Sequence, residues 1–335
     1  MNRPRLSICI PTYNFGRFIG ETLDSILPQA TEDVEVTVVD GASTDNTADI
    51  VGERVRRWRN LSYHRLDRRG GIDVDMALAV SLARGNYCWL FSADDVMLEG
   101  AVPRILREIT EGHDIYLCGF PICTIDMVPL YQHPILNCGD AIFELSNEKE
   151  RKRYFSLAQT TTAFFSYMSS LVIKKTRWDE AAAEPDPRWP CWDHVGRIFR
   201  MMPHGLKLKY LSGSYLKNRG GNDSFMERGI VHRIGISIEG FGNLANVFFG
   251  KDSTEAWHIR RVLKNEYTLR YILYAKLSVK DLHRDDILRL DALVAKIYQD
   301  GSLRDHAEHF LYRVVTPSRL TSLQEAVRSL RSFIR

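Results

Sequence analysis

The sequence predicts an α/β protein, with a doubly wound sheet in its first part and helices in its last third. Two observations carry this. Over residues 1–120, short β-branched or aromatic runs alternate with longer stretches of apolar residues at three-and-four spacing. Beyond residue 229 only the helical period remains. The first region gives strands at 6–10, 35–39, 61–65, 87–91 and 115–118, separated by helices at 15–27, 45–58, 72–83 and 99–111. From about 120 to 225 the pattern is mixed, with a strand at 167–173, a proline-rich turn at 184–190, a helix at 193–202 and a strand at 206–211. Helices follow at 231–249, 254–275, 278–298 and 316–334. There is no internal repeat and no low-complexity tract.

Composition narrows the function. The 335 residues are 44% hydrophobic, 26% charged and 10% aromatic, a globular balance that excludes disorder. A chain of this length buries enough core to need no disulfide. The six cysteines, Cys9, Cys88, Cys118, Cys123, Cys138 and Cys191, form no C-x-x-C pair and have no histidine spacing suited to zinc, so they read as reduced core residues. No apolar run reaches the length of a membrane span, and Met-Asn-Arg-Pro-Arg leads straight into a strand, so the expectation is a cytoplasmic chain. A net charge of +3 is too small to call for a nucleic-acid partner.

Open sheets of this kind bind ligands beyond the carboxyl ends of their strands. There the sequence places Pro11-Thr12-Tyr13-Asn14, Asp40-Gly41-Ala42-Ser43-Thr44-Asp45 and Ser92-Ala93-Asp94-Asp95. No phosphate-binding G-x-x-x-x-G-K-[ST] is present and no G-x-G-x-x-G follows the first strand, which argues against a Walker-type ATPase and a dinucleotide oxidoreductase. A haloacid-type phosphatase would need a nucleophilic aspartate where this chain has Pro-Thr-Tyr-Asn. Two adjacent carboxylates at a buried strand end repel unless a cation compensates them. Asp94 and Asp95 therefore invite Mg²⁺ or Mn²⁺, ions that bridge phosphate oxygens, and the expected ligand is a nucleoside diphosphate. The structural alternative is that either aspartate caps the following helix.

Pro11-Thr12-Tyr13-Asn14, Asp40-Gly41-x-Ser43-x-Asp45-x-Thr47 and Tyr87-x-Trp-Leu-Phe-x-x-Asp94-Asp95 resemble the family 2 inverting glycosyltransferases of GT-A fold, over residues 5–225. Within that family, Gly71-Ile-Asp73-Val-Asp75, Ser169-Ser170-Leu-Val-Ile and Arg219-Gly-Gly-Asn222-Asp223-Ser224-Phe225 look like the abequosyltransferase-like subgroup of bacterial surface polysaccharide synthesis. The resemblance implies a GT-A domain over 1–225, with a nucleotide-binding half to about 120 and an acceptor half beyond it, and a helical region over 226–335. It implies transfer of one sugar from a nucleotide-sugar donor to an oligosaccharide or lipid-linked acceptor, as in O-antigen or capsule synthesis. Pro11, Thr12, Tyr13, Asn14 and Asp40 would line the nucleoside, with Thr12 and Asp40 facing the base. Asp73 would hold the ribose or diphosphate, Asp94 with Asp95 the metal, and Arg219 the diphosphate. Each has a plainer reading: a turn for Asp40, a helix cap for Asp73 and a surface arginine for Arg219. Asp45 reads as a helix cap.

Inversion needs a general base to deprotonate the acceptor hydroxyl. The resemblance puts it at Asp193, with His194 in reserve; the plain alternative is Asp193 as an N-cap. Ser92 stands where many relatives carry a further aspartate, which weakens the expected metal site and motivates a rival reading, a glycan-binding or assembly subunit without turnover. A sugar-1-phosphate nucleotidyltransferase ranks last, for want of a glycine-rich phosphate loop. At the C-terminus, Thr316-Pro317 opens an amphipathic pattern whose arginines lie largely off its apolar stripe; the plainer reading packs that stripe on the domain, and the lipid-linked acceptor that the resemblance implies favours peripheral contact with an anionic membrane.

Overall fold

Strands β1 (Leu6–Thr12) and β2 (Val34–Asp40) are buried along their whole length, the polar Ser7, Glu35 and Thr37 included. The computed structural model describes residues 3–182, 184–278 and 284–315. It divides into two units, Met1–Asp223 and Ser224–Arg335.

In the first unit, chain order continues from β1 through α1 (Gly16–Ile26), β2, α2 (Thr47–Arg57), β3 (Leu61–Arg65), α3 (Ile72–Leu82), β4 (Tyr87–Leu90), β5 (Val96–Met97), α4 (Ala101–Glu108) and β6 (Ile115–Gly119). It then runs through β7 (Pro121–Cys123), β8 (Pro129–Gln132), β9 (Ala141–Glu144), α5 (Glu148–Leu157), β10 (Leu171–Lys174), α6 (Lys175–Glu180), α7 (Asp193–Met201), β11 (Lys207–Ser214) and β12 (Leu216–Arg219). The main sheet has eight strands in the order β3-β2-β1-β4-β10-β6-β11-β9, and β10 and β9 alone run antiparallel to their neighbours. The register of β1 on β2 sets Thr12 beside Asp40, so two of the polar clusters at the strand ends are neighbours. A second sheet, β5-β12-β7-β8, brings Arg219 at the end of β12 back toward the chain after β4.

Two expectations need correction. The strand expected over 167–173 begins only at Leu171, because Met168–Ser170 forms a 3-10 turn. There Ser170 Oγ donates to the Tyr167 carbonyl at 2.6 Å, and serine bonds to nearby backbone compete with a strand ladder. The helix expected over 254–275 is two helices, α9 (Thr254–Glu266) and α10 (Leu269–Ser278). The Thr268 hydroxyl accepts the Tyr271 N–H at 3.4 Å and starts α10 as a cap of its own.

The second unit contains α8 (Ile230–Phe248), α9, α10, α11 (Arg284–Ile297) and α12 (Leu303–Val314). Helix α8 packs on α9 and α11 around Phe241, Ile259, Val262 and Val294. Ser302 opens α12 with a capping box to Asp305. The amphipathic segment expected over 316–334, and with it the expected membrane contact, lies outside the described residues. Among the described residues no helix is long and apolar enough to cross a membrane. The six cysteines are free; four are buried, while Cys138 and Cys191 are only half-buried.

A buried carboxylate locks the first strands together. Glu35 on β2 accepts the Ser7 hydroxyl at 2.6 Å, the Arg84 N–H at 2.6 Å and the Arg84 Nε–H at 2.9 Å, while Ser7 Oγ accepts the Gly85 N–H at 2.8 Å. Burial works to raise this carboxyl, but the donors outweigh it and hold it below its ordinary 4.5. A depressed folded value means stability that is present above the ordinary value and lost as the pH falls below it. Glu35→Ala should therefore cost about 1–3 kcal/mol at pH 7, and the deficit should shrink on acidification below about pH 4.5. Urea melts of both proteins at pH 7 and pH 4 check this; an equal deficit at the two pH values would contradict it.

Candidate active site

The rim begins where β1 and β2 end. Asp40 is fully buried, and its Oδ1 accepts the Ser43 N–H at 2.8 Å and the Ser43 hydroxyl at 2.6 Å. The Tyr63 hydroxyl donates to Oδ2 at 2.5 Å, and burial together with this partner raises the tyrosine above its ordinary value. Asp40 thus makes the turn that the plainer reading assigns it, and Oδ2 retains acceptor capacity. Thr12 Oγ1 and Asp75 Oδ1 are buried close to this point with no hydrogen-bond partner. A Cβ on Gly41 would stand 2.7 Å from Asp75 Oδ2, so glycine is what lets β2's turn approach that carboxylate. Burial raises the Asp75 carboxyl, and the Asp40 charge adds to the rise.

The other rim residues divide between surface and scaffold. Arg69 lies 4.0 Å over the Tyr13 ring, a flat, partly exposed pair at the mouth. Asn14 donates its N–H to Ser43 Oγ at 2.8 Å and accepts the Thr44 N–H at 2.8 Å, tying the two turns together. Pro11 is buried in the strand. Asp45 accepts from Thr47 N–H and hydroxyl at 3.0 and 2.6 Å and from Gly16 N–H at 2.9 Å, so rather than standing at the N-cap of α2, which is Asn46, it makes the turn before that helix and clamps the start of α1.

After β4 the paired aspartates separate in role. Asp95 is buried, and both its oxygens are taken: Oδ2 by the Tyr167 and Ser169 hydroxyls at 2.5 Å each, Oδ1 by Arg219 N–H at 3.1 Å and Asn218 Nδ2 at 3.3 Å. Asp94 is held more loosely. Ser92 donates to its Oδ1 and Asn222 Nδ2 to its Oδ2 at 2.9 Å, leaving each oxygen a second lone pair. Burial raises both carboxyls, and in Asp95 the Asp94 charge adds to it. Neither aspartate caps a following helix, since β5 comes next. Among the described residues no group of three or more His, Cys, Asp or Glu could cage an ion. An Mg²⁺ or Mn²⁺ here would fit only the mode in which one carboxylate and a ligand's phosphates share it, and of the two aspartates Asp94 is the one with lone pairs left over.

Arg219 lies beneath the same turn. Its Nε–H donates to the Asp94 carbonyl at 2.7 Å, Nη1 to the Ile125 carbonyl at 2.5 Å and Nη2 to Glu21 at 2.5 Å, and the guanidinium sits 4.8 Å from the Phe18 ring. It is 6% exposed. Neither expected role, diphosphate ligand or surface arginine, describes a group so enclosed; it braces the carboxylate turn.

Asp193 and His194 open α7. Asp193 is buried and its Oδ2 accepts Arg197 Nε–H at 3.0 Å, one helical turn on, so its side chain does not cap the helix. Asp73 does so instead, from another element: its Oδ2 accepts the Cys191 N–H at 2.7 Å and its Oδ1 the Asp193 N–H at 3.1 Å. The plainer reading of Asp73 as the cap of its own helix needs correction: Gly71 stands at the N-cap of α3, and the Asp73 carboxylate serves α7 instead. His194 Nε2–H donates to the Phe165 carbonyl at 3.0 Å, and burial pushes the imidazole down to about 4. Asp73, Asp193 and His194 share a small pocket with Met168 and Trp178. Tyr63, Tyr167, Arg197 and Asp75 have no expected role from sequence, although Asp75 belongs to the Gly71-Ile-Asp-Val-Asp run.

The like charge of Asp94 opposes ionised Asp95, whereas Asp95 itself satisfies four donors. Asp94→Asn should therefore melt at or above wild type, while Asp95→Ala should lose at least about 3 kcal/mol from the donors it strands. Differential scanning calorimetry checks the ordering; a destabilised Asp94→Asn beside a neutral Asp95→Ala would reverse it.

Residues 7–176 match the family described as glycosyl transferase family 2. The chain is 32% identical over 283 residues to the abequosyltransferase RfbV of Salmonella typhimurium, covering 81% of this chain and 83% of that protein. Over 107 residues it is 35% identical to the chondroitin synthase of Pasteurella multocida, covering 31% of this chain and 11% of that one. Among solved structures, S. aureus TarS 1-349 in complex with UDP-GlcNAc has a TM-score of 0.61 at 18% identity, covering 97% of this chain and 92% of that one. The mannosyltransferase PcManGT from Pyrobaculum calidifontis, in complex with GDP-Man and Mn²⁺, has a TM-score of 0.52 at 16% identity, covering 98% and 88%. With its mostly parallel sheet and its rim of carboxylates, this chain is a glycosyltransferase of GT-A fold and belongs to glycosyl transferase family 2.

Proposed function

We propose that the protein transfers a single sugar, with inversion, from a nucleoside diphosphate donor to a hydroxyl of an oligosaccharide or lipid-linked acceptor in bacterial surface polysaccharide assembly. The observation that carries this reading is the division of the carboxylates. Asp95 is consumed by the scaffold, while Asp94 beside it and Asp193 at the head of α7 keep acceptor capacity. The relationship to RfbV over most of both chains supports the polysaccharide context.

In this reading Thr12 and Asp40 meet the nucleoside base, Thr12 through the buried hydroxyl that has no partner and Asp40 through the free capacity of Oδ2. The Tyr13–Arg69 pair offers a face for stacking and a positive charge. Asp94 would hold Mg²⁺ or Mn²⁺, which neutralises charge on the departing diphosphate. Asp193 takes the acceptor proton as the hydroxyl attacks the anomeric carbon from the side opposite the diphosphate. Arg197 holds its other flank and fixes the carboxylate's direction. His194 is the weaker candidate, because its Nε2–H is committed to the Phe165 carbonyl. Ser92, the departure that motivates a subunit without turnover, donates to Asp94 and so supports the carboxylate.

Asp94→Ala should abolish transfer in a protein that still folds. Asp193→Asn should bind donor nucleotide normally and lose transfer by about 10²- to 10⁴-fold. The assay is hydrolysis and transfer across UDP-, GDP-, CDP- and dTDP-sugars, with thermal shift by the matching diphosphates to fix the base. Full activity in Asp94→Ala would remove the metal assignment; an unimpaired Asp193→Asn with a slow His194→Ala would move the base to the histidine.

A further inference from the structure

We propose that Asp73 is a positioning residue for Asp193, acting as an N-cap supplied to α7 from α3. The inference deepens the proposed mechanism and rests on its reading of Asp193 as the base.

Three features converge on it. First, α7 begins without a cap of its own, since Trp192 stands at its N-cap position and its side chain does not cap the helix. The free N–H groups of a helix's first turn need acceptors, and here Asp73 supplies one to Asp193 across 120 residues of sequence. Second, Cys191 just before the helix has φ +72°, a conformation that costs a residue with a Cβ. Its N–H is held at 2.7 Å by the other oxygen of Asp73, so one carboxylate fixes both the strained approach and the first helical residue. Third, Asp73 lies in the first turn of α3, whose N-cap is Gly71 at φ +91°; it serves the distant helix instead of its own.

The consequence for chemistry is geometric. The backbone of Asp193 is pinned by Asp73 and its side chain by Arg197, which in turn lies 4.8 Å from the Trp178 ring. All of Asp193's approach to an acceptor hydroxyl is thus referred to α3, the helix that also carries Asp75 beside the Asp40 turn. Each Asp73 oxygen accepts one backbone N–H at the head of α7, and a ligand contact through a remaining lone pair is the alternative that the diphosphate titration separates. Burial raises the Asp73 carboxyl and the two N–H donors oppose that rise, consistent with a carboxylate enclosed for structural use.

The test is a double-mutant cycle on the full chain. Asp73→Asn, Asp193→Asn and the double variant are assayed for hydrolysis of whichever UDP-, GDP-, CDP- or dTDP-sugar the wild type turns over, and titrated with the corresponding nucleoside diphosphate. Asp73→Asn should lower kcat by about 10- to 10²-fold, the scale of a roughly 1 Å misplacement. KM and diphosphate affinity should stay within about twofold, and the double variant should be no slower than Asp193→Asn alone. Asp73→Ser, which keeps an acceptor suited to a helix N-terminus, should behave likewise but milder, and stands in if Asp73→Asn fails to fold. Loss of diphosphate affinity in step with rate would make Asp73 a donor contact and overturn the inference, as would a double variant slowed by the product of the two single effects. A wild-type rate in Asp193→Asn would remove the base assignment and this inference with it. A slow Asp193→Asn beside an unimpaired Asp73→Asn or Asp73→Ser would remove this inference alone.

Discussion

The site depends on one buried negative charge. Asp95 is enclosed where desolvation and the neighbouring Asp94 both disfavour its ionised form, and it is retained because four donors converge on it. Those donors come from separate parts of the chain: Tyr167 and Ser169 precede β10, and Asn218 and Arg219 end β12. Through Arg219 the tie reaches Glu21 on α1 and the carbonyl of Ile125 after β7. Removing a hydrogen-bonding partner in such a network leaves the others buried and unpaired, which costs more than any one bond contributes. The turn that carries Asp94 is therefore fixed by the whole first unit rather than by its own four residues.

If Asp94 holds the ion as proposed, rigidity at this point has a chemical use. A lone carboxylate that shares an ion with a substrate's phosphates must already be aimed, because it has no fellow ligands to aim it. Ser92 and Asn222 hold Asp94 with neutral donors, which position the carboxylate without cancelling its charge. A further aspartate in place of Ser92 would add a charge and a ligand, but also a third negative group against Asp95. The serine gives up ligand strength and relieves that repulsion.

What was legible in the sequence follows the range of the interactions. Short β-branched or aromatic runs and helices with a three-and-four period are local patterns, and β1, β2, β3, β4 and β6 stand where those patterns put them. The rim residues were legible because a sheet of this type exposes the ends of its strands. The roles of Arg219 and Asp73 were not, because each is defined by partners about a hundred residues or more away: Asp94 for the one, Cys191 and Asp193 for the other. An arginine in a glycine loop and an aspartate in a first helical turn carry no local mark of such partners. Strand β8 was missed for another reason. All four of its residues are exposed, so burial imposes no alternation on them.

A common arrangement runs through the three carboxylate pairs. Asp40 with Asp75, Asp94 with Asp95, and Asp193 with Asp73 each set a like charge beside another, and each pair includes a raised carboxyl. Asp95 is taken by its four donors and Asp73 holds two backbone N–H groups, while Asp40 gives Oδ1 to Ser43 and keeps capacity on Oδ2 beside Tyr63. Asp40, Asp94 and Asp193 keep acceptor capacity, each beside a second carboxylate. In the proposed reading a nucleobase N–H, a divalent ion and an acceptor hydroxyl would use these three, so one arrangement of paired carboxylates, repeated along one rim, would suit each component of a glycosyl transfer.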